Sequence, residues 1–251
     1  MISPCPAIEA TGLTVAYDDQ LIINEIDVFI EHGDITIILG GSGSGKSTLL
    51  KSFIGLTPHS RGKLKLLGKD MSKVDENDQL DLSMNVGVMF QFGALLNSLT
   101  IAENVALPLE MHTNFNKDLI KDIVRTRLDS VSLLETYNYR PDQLSGGMRK
   151  RAALARAMVL EPKLLLCDEP VAGLDPTTAA EIDDLLLTIN NESSTTIVIV
   201  THDLLSIERI NGNLLMLDDG HILFQGSRDE ALQSKDPKVY SFFHPGNISD
   251  D

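Results

Sequence analysis

The sequence predicts an α/β fold with a small antiparallel β layer at the N-terminus and an α-helical subdomain inserted into the core. Three observations support this prediction. An apolar run at 35–39 leads into a glycine-rich turn and a helix-type segment, which is the order of an α/β unit. Further apolar runs at 85–90, 162–168 and 196–201 are typical of buried strands. Residues 100–134 instead repeat their apolar positions at helical spacing.

The composition indicates a soluble, globular protein. Of 251 residues, 43% are hydrophobic and 23% charged, and no stretch approaches the ~18–20 consecutive apolar residues of a membrane span. The N-terminus lacks a signal-peptide layout, so we expect the chain to stay in the cytoplasm. The formal charge of −15 argues against nucleic acid as a partner and against unaided binding to an anionic membrane. Cys5 and Cys167 show no metal-ligand spacing, and we expect reduced thiols.

The first segment is expected to form the β layer. Apolar runs at 8–15, 21–30 and 35–39 alternate with polar turns, one of them at 32–34. This is the pattern of short strands that lead into the strand before the glycine-rich turn.

Residues 40–48 match the phosphate-binding P-loop pattern. Gly40 and Gly45 bracket four residues directly before Lys46 and Ser47, and glycines let backbone N–H groups converge on phosphate oxygens at a helix start. Lys46 should therefore reach the β- and γ-phosphates of a nucleotide, and the Ser47 hydroxyl should bind Mg²⁺. A glycine-rich loop without a ligand is the alternative, and the strand before it and the helix after it argue against that.

Tyr17 lies in the turn after the first apolar run. An aromatic residue just before a nucleotide loop can stack on adenine. A lone surface tyrosine is more commonly half-buried packing, and on residue type alone this second interpretation is favoured.

A strand is expected at 63–67, and the acidic stretch at 74–82 has no function that we can assign. The apolar run at 85–90 ends at Gln91. The carboxyl end of a strand is where an α/β sheet presents groups to a ligand, and an amide there can orient water or complete a Mg²⁺ shell. Alone, this signal is weak.

The block from Thr100 to Leu134 is expected to be helical. Apolar residues recur three and four positions apart, with charged residues around them. The apolar face consists of Leu119, Ile120, Ile123, Val124, Leu128 and Val131. The block carries no cluster typical of catalysis, so we interpret its apolar faces as core packing.

A second possible anion site lies at 144–148, ahead of an alanine-rich helix at 152–158. Ser145 makes a good N-cap, and Gly146 and Gly147 expose backbone N–H groups at a helix start. An ordinary capped helix would explain the same residues equally well.

The apolar strand at 162–168 ends in two adjacent carboxylates, Asp168 and Glu169. Successive strand residues point to opposite sides, so the two acids should differ in role, one facing a metal and the other a water in line with the γ-phosphate. Asp175 and Pro176 then predict the cap and first residue of a helix.

The strand at 196–201 ends at His202. Alone, this histidine would more often be structural. Together with Gln91 and the two carboxylates, it puts polar groups where α/β sheets bind ligands. A hairpin is expected at 214–224, followed by a short amphipathic helix from Ser227.

In this order, the features resemble the ATP-binding cassette of ABC transporters across nearly the whole chain. The matching positions are Tyr17, 40–48, Gln91, 144–148, 164–169, 174–175 and His202. The resemblance implies the ABC ATPase fold, a P-loop NTPase core, and a chain that hydrolyses ATP with Mg²⁺.

The resemblance also implies a role for each site residue. Tyr17 stacks on adenine, which reverses the interpretation above. The residues expected to bind ATP through its phosphates are Gly40, Gly41, Ser42, Gly43, Ser44, Gly45, Lys46, Ser47 and Thr48. The residues expected to hold Mg²⁺ are Ser47, Gln91 and Asp168. The residues expected to act in hydrolysis are Lys46, Gln91, Glu169 and His202, with Glu169 as general base or water-orienting group and the amide and imidazole as γ-phosphate sensors.

A second copy of the chain is implied as a partner. Ser145, Gly146 and Gly147 resemble the family's signature loop, which in relatives closes over the ATP bound by the other subunit. Asp175 would meet the partner's P-loop across that interface.

Two positions depart from the usual family pattern. Met148 stands where the family usually has glutamine, and Gly41 where relatives often have proline. Neither removes a phosphate-contacting lysine or hydroxyl, so hydrolysis is still expected. Within the family, residues 91–96, 104–109 and 144–148 look most like the ATPases of Mla/Mce lipid transporters. That similarity implies integral membrane permease subunits and an Mce-type substrate-binding protein as partners.

Other interpretations of the sequence place the chain in different classes of protein. A non-transport ABC clamp would carry a long coiled-coil insertion or a second cassette, and a metabolic kinase would not explain 144–148. An ABC importer or exporter for a non-lipid substrate stays open, because a cassette does not touch the transported molecule.

Because the chain has neither a span nor a basic patch, we expect it at the cytoplasmic side of the inner membrane, held there by the permease. The residues from Phe92 to Leu134 are expected to supply the docking surface.

Four regions are expected from these boundaries. Residues 1–91 form the β layer and the P-loop part of the core, and 92–143 form the helical subdomain. Residues 144–226 hold the signature helix and the rest of the core, and 227–251 form a C-terminal helix and tail.

Overall fold

The structure is a computed structural model that describes residues 5–17 and 20–244. In chain order, its strands are β1 (Ile8–Tyr17), β2 (Gln20–Ile30), β3 (Ile35–Gly40), β4 (Arg61–Leu66), β5 (Lys69–Asp70), β6 (Val86–Met89), β7 (Leu164–Asp168), β8 (Thr196–Val200), β9 (Asn213–Asp218) and β10 (His221–Gly226). Its helices are α1 (Lys46–Phe53), α2 (Glu76–Asn85), α3 (Ile101–His112), α4 (Lys117–Ser130), α5 (Gly146–Met158), α6 (Pro176–Ser193), α7 (Leu204–Ile210), α8 (Arg228–Leu232) and α9 (Pro237–Phe243). Short 3₁₀ helices lie at Leu134–Thr136 and Pro141–Gln143.

The described chain divides into two compact units. Residues up to Val74 and residues from Val198 onward form the first unit, and Asp75–Ile197 form the second. The four-region division expected from the sequence is a different, functional grouping and stays a prediction.

The first unit contains the antiparallel β layer that the sequence predicts. β1 pairs with β2 and with β4, and β4 pairs with β5, in the order β2-β1-β4-β5. β3 pairs in parallel with β9, and β9 pairs antiparallel with β10, which confirms the hairpin expected at 214–224. β3 is almost entirely buried, as its continuous apolar run requires.

The second unit combines a parallel strand pair with a helical core. β6 pairs in parallel with β7, so that Met89 lies opposite Cys167. The helical core contains Ile101, Val105, Leu109, Ile120, Val124, Leu128, Leu133, Ala152, Ala155 and Val159. The apolar face predicted for 100–134 is therefore core packing.

One residue of that face was wrongly assigned. Leu119 is 43% exposed, although the sequence analysis placed it on the apolar face. The buried residues of α4 are Ile120, Val124 and Leu128, which recur every four positions. Leu119 precedes this stripe by one residue, about 100° around the helix, and so faces solvent.

Some boundaries also differ from the sequence prediction. The acidic stretch that begins near residue 74 forms helix α2, whose N-cap Asp75 accepts a hydrogen bond from the Asp78 amide at 2.8 Å. α5 begins at Gly146, directly after the predicted cap Ser145 and ahead of the alanine-rich stretch at 152–158, because the cap overrides the low helix propensity of glycine. The segment after Ser227 forms two helices, α8 and α9, instead of one. Within residues 5–17 and 20–244, no helix has both the length and the apolar character needed to cross a membrane.

Candidate active site

The P-loop connects β3 to α1 in the first unit. Gly40 has a φ of 144° and Gly45 a φ of 101°, a range in which side chains cause strain. A Cβ at Gly40 would lie 2.1 Å from the carbonyl oxygen of Leu217, and a Cβ at Gly45 would lie 2.6 Å from Cδ1 of Ile23. Glycine is therefore required at both positions for conformation and for space.

The polar groups of this loop fit a polyphosphate. The N-cap residue of α1 is Gly45, which has no side chain to cap the helix, and the first amides of a helix have no partner within the helix itself. Lys46 Nζ donates hydrogen bonds to the carbonyls of Gly40 at 2.9 Å and Gly41 at 2.8 Å. Ser44 Oγ is buried without a hydrogen-bond partner in the described structure. A cation, a helix N-terminus and an unsatisfied hydroxyl together form a site for phosphate.

The structure also describes the other predicted groups of the first unit. Ser47 and Thr48 lie half-buried in the first turn of α1. Tyr17 ends β1, is 48% exposed, and its hydroxyl lies 2.8 Å from Oγ1 of Thr57. His202 is exposed and follows Thr201, whose amide donates to the carbonyl of Ile38 in β3 at 3.2 Å.

The predicted carboxylates end the buried strand β7 in the second unit. Asp168 is 5% and Glu169 8% exposed. Glu169 has a φ of 49°, a left-handed conformation that is uncommon for a residue other than glycine and that concentrates at functional sites. Asp168 is the last residue of β7, whereas Glu169 leaves the strand in this conformation. The separate roles expected for the two acids stay a prediction.

The oxygen groups predicted to bind a metal suit Mg²⁺. Ser47 offers a hydroxyl, Gln91 an amide oxygen and Asp168 a carboxylate. Mg²⁺ prefers hard oxygen ligands and usually combines one or two carboxylates with substrate phosphates and water. The chemistry of this donor set therefore fits the ion.

A cleft of about 340 Å³ in the second unit contains two of the predicted site residues, Gln91 and Gly146. Its lining consists of Gln91, Phe92, Gly93, Gly146, Arg149, Lys150 and Ala172–Leu174. Lys150 Nζ donates a hydrogen bond to the carbonyl oxygen of Gln91 and another, of 2.7 Å, to that of Glu169. The structure thus brings the loop after β6, the residue after β7 and the start of α5 together.

The start of α5 also contacts the cap of α6. Gly147 is buried, and a Cβ there would lie 2.3 Å from Cγ2 of Thr178. The Thr178 hydroxyl donates to Asp175 Oδ2 at 2.6 Å, and the amides of Thr177 and Thr178 donate to Oδ1 at 3.1 Å. These hydrogen bonds lower the pKa of Asp175, and the bond from the Thr178 hydroxyl has the largest effect. Ser145 caps α5 by accepting from the Met148 amide at 3.2 Å, which confirms its predicted capping role.

Three residues that hold the loop after β6 were missed by the sequence analysis. They are Lys150, Asn104 and Arg156. The helical phase carried a usable signal for Lys150. It lies three residues after Gly147 and four before Leu154, both buried, so it belongs to the inward face of α5.

Both cysteines are free, one exposed and one buried. Burial raises the pKa of the Cys167 thiol to about 12, so this group stays protonated at neutral pH.

Three comparisons relate the chain to known proteins. The family model described as ABC transporter matches residues 23–172. The chain is 39% identical over 242 residues to the "Probable ribonucleotide transport ATP-binding protein mkl" of Mycobacterium leprae, covering 96% of this chain and 70% of that protein. It is 34% identical over 235 residues to the "Intermembrane phospholipid transport system ATP-binding protein MlaF" of Haemophilus influenzae, covering 94% of this chain and 89% of that protein. A solved dimeric ATP-binding cassette in a post-hydrolysis state, bound to ADP and Pi, aligns with a TM-score of 0.81 at 29% identity, over 88% of this chain and 98% of that one.

Proposed function

The chain belongs to the ABC transporter family as an ATP-hydrolysing subunit, and we propose that ATP pairs two copies of it to drive a permease that moves lipid across the cell envelope. The observation that supports this proposal most directly is that one chain contains every group that the reaction and the dimer need. A phosphate cradle with Lys46 is combined with a buried strand that ends in Asp168 and Glu169, and with a second helix start at Ser145.

Each predicted catalytic residue has a role in hydrolysis. Lys46 offsets the negative charge of the β- and γ-phosphates, and the amides at the start of α1 bind their oxygens. Glu169 orients or deprotonates the attacking water, and Gln91 and His202 contact the γ-phosphate. Mg²⁺, when bound, neutralises charge that develops on the phosphates. Ser47, Gln91 and Asp168 would hold it.

Dimerisation rests on the arrangement at the start of α5. Ser145 and Gly146 are exposed at the N-terminus of a 13-residue helix, where the helix dipole favours an anion. In this proposal, the loop binds the γ-phosphate of the ATP held by the partner copy, and Asp175, exposed on the α6 cap, meets the partner's P-loop. A solved relative with this fold is a dimer with ADP and Pi, which supports the arrangement.

The proposed permease contact lies on the second unit. Phe92 is 89% and Leu96 45% exposed on the loop that begins at Gln91. A groove of about 270 Å³ lies in the same unit. Its apolar lining includes Met84, Val86, Leu107, Pro108, Met111, Leu160 and Pro162. Methionine side chains adapt to an apolar partner, and a short permease helix would dock by the helix-in-groove mode. The chain would then lie at the cytoplasmic side of the inner membrane as a peripheral subunit.

Lipid is proposed as the cargo on the likeness to the phospholipid transport relative, which extends over 94% of this chain. An Mce-type substrate-binding protein completes the proposed complex. The higher identity, 39%, to a relative named for ribonucleotide transport favours a second candidate cargo. Transport assays on the reconstituted complex, with labelled phospholipid and with labelled ribonucleotide, separate the two.

The catalytic assignment is tested by separating ATP binding from turnover. Glu169→Gln should bind ATP normally and lose ~10²–10⁴-fold in turnover, because general-base catalysis is typically worth that factor. Lys46→Ala should lose affinity for ATP, because a phosphate-binding cation is removed. Binding is measured with a fluorescent ATP analogue and turnover by phosphate release. Wild-type turnover in Glu169→Gln would refute the assignment.

A further inference from the structure

A lysine is buried on the inward face of α5. Lys150 is 7% exposed, although lysine is seldom buried without partners. It lies in the sequence Arg149-Lys150-Arg151, and both neighbouring arginines are more exposed. Burial in this position lowers the pKa of the Lys150 ammonium, while the nearby Cys167, Glu169 and Asp168 oppose that change. A cation held in such a place needs compensating interactions.

The compensating interactions reach two predicted catalytic residues through their backbones. Lys150 Nζ donates to the carbonyl oxygen of Gln91 and, at 2.7 Å, to that of Glu169. Gln91 follows β6 and Glu169 follows β7, and these strands are paired in parallel. One ammonium therefore joins the carboxyl ends of two adjacent strands.

The hydrogen bond to Glu169 is made to a residue whose backbone is strained. Glu169 adopts a φ of 49°, and such a conformation persists only where the surroundings hold it. A charge-assisted hydrogen bond to its carbonyl is one such restraint, and it fixes the direction in which the Glu169 side chain leaves the backbone. The same side chain restrains the backbone of Gln91.

We propose that Lys150 is a positioning residue for ATP hydrolysis, which holds the backbones of Gln91 and Glu169 in the arrangement that the reaction needs. The proposal rests on the roles given to Gln91 and Glu169 under the proposed function. Lys150 itself does not contact ATP in this account. Because it lies on the helix that begins at Ser145, it also connects the loop proposed to contact the partner's ATP with the water-orienting Glu169.

The first test removes the ammonium and keeps the apolar stem. Lys150→Met should lower kcat by ~10-fold or more, since small misplacements of catalytic groups cost up to ~10²-fold. The affinity for ATP, measured with a fluorescent ATP analogue, should change less than ~2-fold, because the P-loop is untouched. Lys235→Met, which removes an exposed lysine between α8 and α9, is the matched control and should keep wild-type values. Unchanged kcat in Lys150→Met would overturn the proposal.

The second test separates positioning from general support of the fold. In a Glu169→Gln background, the Lys150→Met change should lower single-turnover hydrolysis by a clearly smaller factor than it lowers kcat in the wild type, because only Gln91 is left for Lys150 to position. The same fold loss in both backgrounds would show that Lys150 acts independently and would overturn the proposal. Lys150→Gln, which keeps an amide donor, replaces the methionine variant in the cycle if that variant does not fold. Failure of the catalytic assignment is seen separately, as wild-type turnover in Glu169→Gln alone.

Discussion

At the residue scale, some residues of the site can be predicted from the sequence and others cannot. Lys46 and Ser47 belong to a contiguous motif, so their phosphate-binding and metal-binding roles can be predicted from the spacing alone. Lys150 contacts Gln91 and Glu169, which lie 59 and 19 positions away in the chain. The sequence pattern around such a residue shows which face of the helix it lies on but not which distant residues it contacts. Because Lys150 is charged, a position on the surface would be expected. The catalytic roles themselves stay predictions.

The two glycines of the Ser145 loop are expected to respond oppositely to alanine. Gly147→Ala should lower the free energy of unfolding by about 1–3 kcal/mol, because overpacking of a buried site costs that much. The new Cβ would lie 2.3 Å from Cγ2 of Thr178, whose hydroxyl holds Asp175. Gly146→Ala meets only Leu174 Cδ2 at 3.5 Å, and it should raise stability by up to about 1 kcal/mol because alanine favours the helix. Urea denaturation of both variants checks this, and equal effects would contradict the packing described.

At the element scale, the sequence predicted element types better than their ends. Apolar strands and the helical block followed from periodicity, since burial imposes that pattern on the residues themselves. The start of α5 follows from the Ser145 cap, which the sequence indicated, whereas α2 and its Asp75 cap were not recognised in the acidic stretch. A docking surface was expected from Phe92 onward, but the side chains that hold the loop after β6 could not be foreseen, because they lie far from it in the sequence.

That loop is held from two helices. Arg156 on α5 donates to the carbonyls of Gly93 at 2.9 Å and Ala94 at 2.7 Å. Asn104 on α3, fully buried, accepts from the Leu96 amide at 2.7 Å and donates to the Leu96 carbonyl at 3.0 Å. With the backbone satisfied internally, the apolar side chains at 92 and 96 are presented outward.

A charge on this outward surface should block permease docking. Leu96→Glu should abolish co-purification with the permease and lipid transport, because a carboxylate would be desolvated in an apolar contact. ATP binding by the isolated subunit should be unaffected, since the Leu96 side chain is 45% exposed. Leu205→Glu changes a leucine that is 58% exposed on α7 and is the matched control. Retained pull-down and transport in Leu96→Glu would place the docking surface elsewhere.

At the scale of the whole molecule, the fold class was predictable because the order of strand, loop and helix patterns follows the chain. The β layer, the parallel strand pairs and the helical block all appear where the sequence indicates them. A second copy, a permease and a cargo are harder to predict from the sequence than the fold is. The second copy and the permease contact surfaces that a single chain presents to solvent, where residues carry no periodic constraint. The cargo is not contacted by a cassette at all.

The central claim, that ATP joins two copies through the Ser145 loop, is tested most directly by sedimentation velocity of Glu169→Gln. Without nucleotide, the variant should sediment as a monomer of 27.5 kDa. At saturating ATP and Mg²⁺, it should sediment at twice that mass, because bound ATP is no longer consumed and completes the interface. Adding Ser145→Arg should restore the monomer while Lys46 still binds ATP. A Glu169→Gln monomer at saturating ATP, with the permease present as well as absent, would contradict the account.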